Sequence, residues 1–209
     1  MNNGKRIFLW LLGLTLAVLL NSSARADTLT LITDQTNQKS DDSIDWSQLG
    51  ADATVLNASF SANTALNNGV SVALKGSNSL TSVVCTATPC SWGTGFTAGD
   101  TLLWTSDNAN GGNGPLTLTF ATPVFGAGAL IKADLPGQFT AQIQARQNGK
   151  VLKSFTEKSD TAGDPIYIGV LDSTAANITG VVFSLSSCPK FSSCADFAVD
   201  KVQVNQTSH

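Results

Sequence analysis

The stretch Asp196-Phe197-Ala198-Val199-Asp200-Lys201-Val202-Gln203-Val204 alternates apolar and polar residues and then changes phase. Phe197 and Val199 fall on one face of a strand, whereas the two later valines fall on the opposite face, because strand side chains alternate with a period of two. Either the strand contains a β-bulge, or Asp200 faces the core together with those valines. The stretch therefore predicts a closing strand in which Asp200 has an unusual position.

Short alternating runs of the same kind extend through most of the chain. The clearest unit is 139–155, where two alternating runs flank Asn148-Gly149. This pair predicts a hairpin, because a type I′ turn needs a positive φ at both central residues. Eight or nine short strands separated by turn residues predict an all-β, two-sheet antiparallel sandwich, jelly-roll-like in topology. The other runs are 28–33, 70–74, 83–84, 102–104, 116–120, 166–170 and 181–185.

The first 26 residues have the pattern of an export signal. Lys5 and Arg6 precede an uncharged run at 7–20, and Ala24-Arg25-Ala26 follows as a small-x-small cleavage pattern. We expect a signal peptide at 1–26 and a single sandwich domain at 27–209, secreted or placed in the cell envelope. An uncleaved anchor is the alternative, but the run is shorter than the ~20 residues of a spanning helix. We expect no membrane span in the mature chain.

The charge of the mature chain argues against nucleic acid as a partner. Residues 27–209 contain nine basic and 15 acidic residues, which gives a formal charge of −6. A protein that binds nucleic acid needs a basic stripe to neutralise phosphates, and the sequence has none. An acidic balance fits solubility or cation binding and proves neither.

The four cysteines predict two disulfides in an exported chain. Their spacing favours the local pairs Cys85–Cys90 and Cys188–Cys194. The crossed pairings stay open, because sequence alone does not decide between the three possible connectivities. A zinc site is the alternative, but the C-x₂-C spacing and a nearby histidine are both missing.

Seven segments, taken in order, resemble the exported β-sandwich domains of bacterial PEP-CTERM-type surface proteins. The resemblance implies a secreted or envelope protein of a Gram-negative bacterium without an established catalytic activity. The family's C-terminal Pro-Glu-Pro signal, apolar helix and basic tail are not found here, which leaves retention by that sorting route open. The segments are DWSQLG at 45–50, GDTLLWT at 99–105, GPLTLTF at 114–120, FTAQI at 139–143, GDPIYIGV at 163–170, NITGVVF at 177–183 and DFAVD at 196–200.

The closing strand is also similar to the last strand of calcium-stabilised, carbohydrate-binding jelly rolls. By that resemblance Asp200 would be a ligand of a structural calcium ion. A carboxylate that faces the core would itself need a cation or strong hydrogen-bond donors, and backbone carbonyls near the N-terminal strand could complete a calcium site. In the alternative, a bulge turns Asp200 outward to solvent or into a turn hydrogen bond.

Tryptophans are the candidate ligand-binding residues, because flat aromatic faces stack on the apolar faces of sugar rings. Trp92 follows Cys90 in a glycine-flanked loop and is the best candidate for an exposed platform, and Trp46 is the second. The alternative for Trp92 is a side chain folded onto the rim of the sandwich. Trp104 shares a face with Leu102 and is expected in the core.

The sequence offers little support for catalysis. The sole histidine is the terminal His209, and no G-x-S-x-G motif is present. The sole glutamate, Glu157, lies in a polar segment typical of a solvated turn. We therefore expect an exported, non-catalytic surface or extracellular matrix protein that binds a glycan or another surface component. One alternative is a structural or adhesive envelope protein without a small-molecule site, and another is a polysaccharide-active enzyme.

Overall fold

The computed structural model describes residues 28–75, 82–86, 92, 95–105, 115–188 and 196–208. The predictions for the signal peptide at 1–26, for Cys90, Cys194 and His209, and for the side chain of Cys85 lie outside the described residues. Fifteen strands, one short α-helix and one 3-10 helix are described. They are β1 Leu29–Ile32, α1 Gln35–Gln38, β2 Asp42–Ile44, the 3-10 helix Trp46–Leu49, β3 Val55–Leu56, β4 Ser59–Asn63, β5 Gly69–Leu74, β6 Ser82–Thr86, β7 Thr101–Trp104, β8 Leu116–Val124, β9 Gly126–Ala133, β10 Thr140–Gln147, β11 Lys150–Lys158, β12 Ile166–Asp172, β13 Ile178–Ser187, β14 Phe197–Val199 and β15 Val202–Asn205.

The strands form two antiparallel sheets, which confirms the predicted all-β sandwich. The nine-stranded sheet runs β1-β12-β9-β14-β7-β6-β3, with β15 continuing β14 along β9 and β2 pairing with β15. The six-stranded sheet runs β11-β10-β13-β8-β5-β4. From β7 onward, the order β7-β14-β9-β12 in one sheet and β8-β13-β10-β11 in the other is the strand order of a jelly roll.

The core lies between the sheets and is built from alternate residues of their strands. On β10, Ala141, Ile143 and Ala145 are fully buried, whereas the intervening residues are half-buried on the outer face. The turn after β10 has φ of 49° at Asn148 and 80° at Gly149. Positive φ at both positions confirms the hairpin predicted from this pair.

The closing strand carries one extra residue between β14 and β15. Val199 pairs with Ile131 of β9, and Gln203 pairs with Gly128 of the same strand. The closing strand thus advances four residues while β9 advances three, which is the count of a β-bulge.

This bulge resolves the change of phase in the sequence. Asp200 lies half-buried within it, and its N–H donates to the carbonyl oxygen of Leu130 at 3.0 Å. The bulge alternative is confirmed, and the alternative that turns Asp200 into the core is wrong, because the bulge absorbs the extra residue and keeps both apolar pairs on one face. Those four fully buried residues are Phe197, Val199, Val202 and Val204.

A second, smaller apolar cluster covers the outer face of the nine-stranded sheet. Trp104 does share a face with Leu102, as predicted, but that face points away from the main core. Alternation alone does not show which face of β7 points to the main core, because a strand that is covered on both sides is apolar on both sides. The cluster consists of Trp92, Phe96, Leu102 and Ala198, with Trp104 and Leu130 packed against it.

Buried amide side chains attach helix α1 to the same outer face. Gln38 donates through Nε2 to Oδ1 of Asn205 at 2.7 Å and accepts from the Tyr167 hydroxyl at 3.2 Å. The strands on which Gln38 and Tyr167 lie have no room for a side chain at Gly128 or Gly169. A Cβ at Gly128 would lie 2.5 Å from the Tyr167 hydroxyl, and one at Gly169 would lie 2.3 Å from Oε1 of Gln38.

Deleting Lys201 is expected to remove the bulge but not the core packing of the closing strand. Without the extra residue the run 197–204 alternates strictly, so its four apolar side chains stay on the core face. What is lost is the hydrogen bond from the buried Trp46 indole to the Asp200 carbonyl oxygen, and an unpaired buried donor costs about 1–3 kcal/mol of unfolding free energy. The control Lys201→Ala keeps the chain length and loses only an exposed ion pair, worth about 0–1 kcal/mol. Urea unfolding of both variants tests this, and equal stabilities would contradict the role of the bulge.

Gly128→Ala is expected to destabilise the sandwich by about 1–3 kcal/mol, because the new methyl group overlaps the Tyr167 hydroxyl and the backbone of Gly169. Gly69→Ala is the matched control, since its Cβ would meet Ala121 at an ordinary 3.6 Å. Thermal unfolding compares the two, and a Gly128 variant as stable as the control would contradict this steric requirement.

Candidate functional site

A polar pocket of about 560 Å³ opens on the outer face of the nine-stranded sheet, beside the bulge. Its lining comes from helix α1, the start of the 3-10 helix, the loop before β7 and the bulge, together with single residues of β7, β9 and β15. Their polar side chains include those of Gln35, Asp45, Asp100, Asp200 and Lys201.

The 3-10 helix holds one wall of the pocket against the bulge. Asp45 caps this helix, and its Oδ1 accepts from the N–H of Ser47 at 2.9 Å. Trp46 donates from Nε1 to the carbonyl oxygen of Asp200 at 3.0 Å. Lys201 completes the contact through an ion pair of 3.1 Å between its Nζ and Oδ2 of Asp45. The bulge thus places residues 200 and 201 against the acidic end of the 3-10 helix.

The opposite wall is a tight turn before β7. The N–H of Thr97 donates to Oδ2 of Asp100 at 2.8 Å, and the N–H of Asp100 donates to the carbonyl oxygen of Thr97 at 3.0 Å. This turn fixes the Asp100 carboxylate beside the pocket.

Asp200 is the perturbed acid of the site. Burial raises the pKa of Asp200 to about 6, and the nearby carboxylates of Asp100 and Asp45 also raise it, although the N–H and the charge of Lys201 act in the opposite direction. Burial would also raise the pKa of Asp45, but hydrogen bonds from Ser47 and the ion pair with Lys201 outweigh it and lower that pKa. The pocket thus has more negative charge than its own lysine offsets.

The donor set fits a metal centre only in part. Asp200 Oδ1 already accepts from the N–H of Lys201 at 2.6 Å. In the described ranges, no group of three or more His, Cys, Asp or Glu side chains could hold a metal ion. Calcium binding at Asp200 therefore stays a prediction, and it would depend on backbone and amide oxygens as well as carboxylates.

The two tryptophans predicted as ligand platforms are buried, so that prediction is wrong for both. Trp46 is 0% exposed because it packs in the main core and is tied through its indole N–H to the bulge. Trp92 is 5% exposed because it packs edge-on against Phe96 and Trp104, at centroid distances of 6.4 and 6.1 Å. Trp104 also donates from Nε1 to Oδ2 of Asp196. The indoles of Trp46 and Trp92 thus build the sandwich, and neither offers an exposed flat face to a sugar ring.

The cysteine prediction is supported at one position. Cys188 is disulfide-bonded, and there is no free cysteine in the described part of the chain. The structure does not describe the side chain to which it is bonded, so the pairing stays a prediction.

Sequence reasoning missed Asp45 and Asp100 as site residues. Both occur in the segments that resemble the PEP-CTERM-type sandwiches, Asp45 between the buried Ile44 and Trp46, and Asp100 two residues before the buried Leu102. Asp45 caps the 3-10 helix and Asp100 lies in the turn before β7. Only the fold shows that both lie beside the bulge of the closing strand.

No protein-family model, curated protein or solved structure matches this chain. Among residues 28–208, as far as they are described, no helix is long and apolar enough to cross a membrane.

Replacing Asp200 with asparagine is expected to stabilise the protein above pH 6. The folded state raises the pKa of Asp200 from 3.8 to about 6, so it binds the proton more tightly than the unfolded chain does. The wild type therefore loses stability as the pH rises from about 4 to 6. Asn keeps the acceptor for the Lys201 N–H without the charge, and the gain above pH 6 is on the order of 1 kcal/mol after allowance for solvent around this half-buried group.

Thermal unfolding at pH 4.5 and 7.5 measures this difference, with Asp164→Asn as an exposed control. A stability gain for the Asp200 variant that is equal at both pH values would contradict the perturbed pKa. The same assay tests calcium. If Asp200 is a calcium ligand, excess calcium raises the wild-type midpoint and not that of the variant, whereas no wild-type shift rules it out.

Proposed function

We propose that this chain is an exported, non-catalytic surface or extracellular matrix protein, and that the pocket beside the bulge binds a hydroxyl-rich ligand of the glycan class. The observation that carries the proposal is the pocket itself. Carboxylates accept hydrogen bonds from sugar hydroxyls, and the side chains of Gln35 and Lys201 can donate to them. The pocket thus takes the place of the tryptophan platform that the sequence favoured.

Three observations support export. The disulfide at Cys188 fits an oxidising compartment outside the cytoplasm. The signal-like pattern at 1–26 and the resemblance to exported bacterial sandwiches point in the same direction.

The contacts of the carboxylates support binding rather than hydrolysis. A glycosidase needs two opposed carboxyl groups, one of them free to act as base or nucleophile. Asp45 is held by its cap and its ion pair, and Asp100 accepts from Thr97 in a tight turn. We therefore assign these groups to fixed hydrogen bonding.

A structural or adhesive role is the second candidate, and burial of both Trp46 and Trp92 favours it. A wall component without a small-molecule site needs a stable sandwich and no aromatic platform. The two candidates differ in whether any ligand enters the pocket.

Screening wild type on a glycan array, followed by titration of the best ligand, is expected to show binding that depends on the pocket. Asp100→Asn is expected to weaken the affinity about tenfold, because it removes a charged acceptor of a hydrogen bond. Asp164→Asn changes an exposed carboxylate outside the pocket and is the matched control. No binding to any glycan would favour the structural candidate. Polysaccharide turnover abolished by a single Asp change would overturn the non-catalytic assignment.

A further inference from the structure

The outer face of β10 carries three long polar side chains in a row. Gln142, Gln144 and Arg146 occupy alternate positions, which spaces their Cα atoms about 7 Å apart on one face. They are connected in series: an Nη of Arg146 donates to Oε1 of Gln144 at 3.0 Å, and Nε2 of Gln144 donates to Oε1 of Gln142 at 3.4 Å. All three are half-buried.

This series has a direction. Each bond uses a side-chain oxygen of the row as its acceptor, so the internal contacts occupy the Oε1 atoms of both glutamines. What remains for a partner is mainly N–H, from the guanidinium at one end and from the amide of Gln142 at the other. A row of donors that ends in a cation is complementary to a partner rich in acceptors and negative charge.

Arg146 is incompletely bonded. Its Nε is buried and has no hydrogen-bond partner in the described structure. An unsatisfied buried donor destabilises its own state, so a ligand that draws the guanidinium into a bidentate contact relieves that cost. Arg146 lies between Gly180, which has no side chain, and Val151, which is 50% exposed.

The charge near this row is positive in an otherwise acidic chain. Residues 146–158 hold four of the nine basic residues of 27–209. Lys153 is engaged, since its Nζ donates to the carbonyl oxygen of Leu29 at 3.1 Å and lies 4.8 Å from the ring centroid of Phe155. Lys158 pairs in register with Thr140, on the same face as the row, whereas Glu157 pairs with Ala141 on the opposite face.

We propose that this surface, formed by Gln142, Gln144, Arg146 and Val151 and here called the ladder surface, binds a carboxylated polysaccharide. Arg146 takes the carboxylate in a bidentate contact, the glutamine amides donate to ring and hydroxyl oxygens, and Val151 contacts an apolar face of a sugar. A straight row of repeated donors suits an extended polymer with repeated acceptors. This inference rests on the proposed role as a non-catalytic surface or matrix protein and adds a site on the sheet opposite the pocket.

Edge lysines also guard β-sheets against edge-to-edge pairing, and β11 is an edge strand. That role explains Lys150 and Lys158 but not the hydrogen-bonded row on β10, which is an inner strand. The ladder surface therefore needs its own explanation.

The test is a titration of the full exported chain with polygalacturonate and with its fully methyl-esterified form, which keeps the hydroxyls and removes the charge. Wild type is expected to bind the acid polymer at least tenfold more tightly than the ester. Arg146→Gln is expected to lose about tenfold in affinity for the acid polymer, and Arg146→Lys to recover only part of it, because lysine lacks the bidentate fork. Lys75→Gln removes a distant cation as the matched control and is expected to bind as wild type does.

Equal binding of acid and ester, equal loss in the Arg146 and Lys75 variants, or no binding of the acid polymer would each overturn the proposal. Self-association that Arg146→Gln abolishes without any polymer would assign the surface to a second copy of this chain and would also overturn it. Asp100→Asn separates this inference from the pocket. It is expected to leave polygalacturonate binding unchanged, so loss of pocket binding alone counts against the proposed function and loss at Arg146 alone tests the ladder surface.

Discussion

The β-bulge that absorbs the extra residue of the closing strand is the constraint on which both the core and the site depend. Without it, the apolar pairs on the two sides of Asp200 could not face the same core, because strand side chains alternate strictly. With it, the backbone at Asp200 leaves the regular ladder and offers its carbonyl oxygen to the Trp46 indole. The bulge therefore closes the sandwich and attaches the 3-10 helix in one step. The pocket lies beside it because the strand is displaced there.

The features that follow from local spacing could be predicted from the sequence. The Asn148-Gly149 hairpin needs only the conformational preferences of two residues, and the bulge needs only the phase of four apolar side chains. The positions of Trp92 and Trp104 could not be predicted in this way. Their positions depend on the packing of Trp92 and Phe96 on the outer face of the nine-stranded sheet, and strand alternation carries no information about such contacts. The meeting of Asp45, Asp100 and Asp200 is likewise a product of strand order, because these residues are far apart along the chain.

The outer faces of the two sheets differ for a physical reason. On the nine-stranded sheet, glycines at 128 and 169 allow Tyr167 and Gln38 to lie flat, so α1 and the tryptophan cluster cover most of the strands. The pocket is the gap between these two covers. On the six-stranded sheet the described outer positions of β10 and β11 are polar apart from Val151, with Ser154 and Thr156 exposed beside the glutamine row. Water hydrates a polar surface of this kind, so no further segment has to pack on it and it stays accessible to a polymer.

The backbone and the side-chain charge of Asp200 have different effects on the stability of the fold. The bulge uses the backbone N–H and carbonyl oxygen of this residue, and its side chain contributes one acceptor to the N–H of Lys201. An asparagine could supply the same contacts without charge. Burial, and to a smaller extent the nearby carboxylates of Asp100 and Asp45, instead raises the pKa of this carboxylate, and this opposes folding at neutral pH. The negative charge is thus a cost to the sandwich and an advantage only to something that enters the pocket, which is the physical reason to look for function at this side chain.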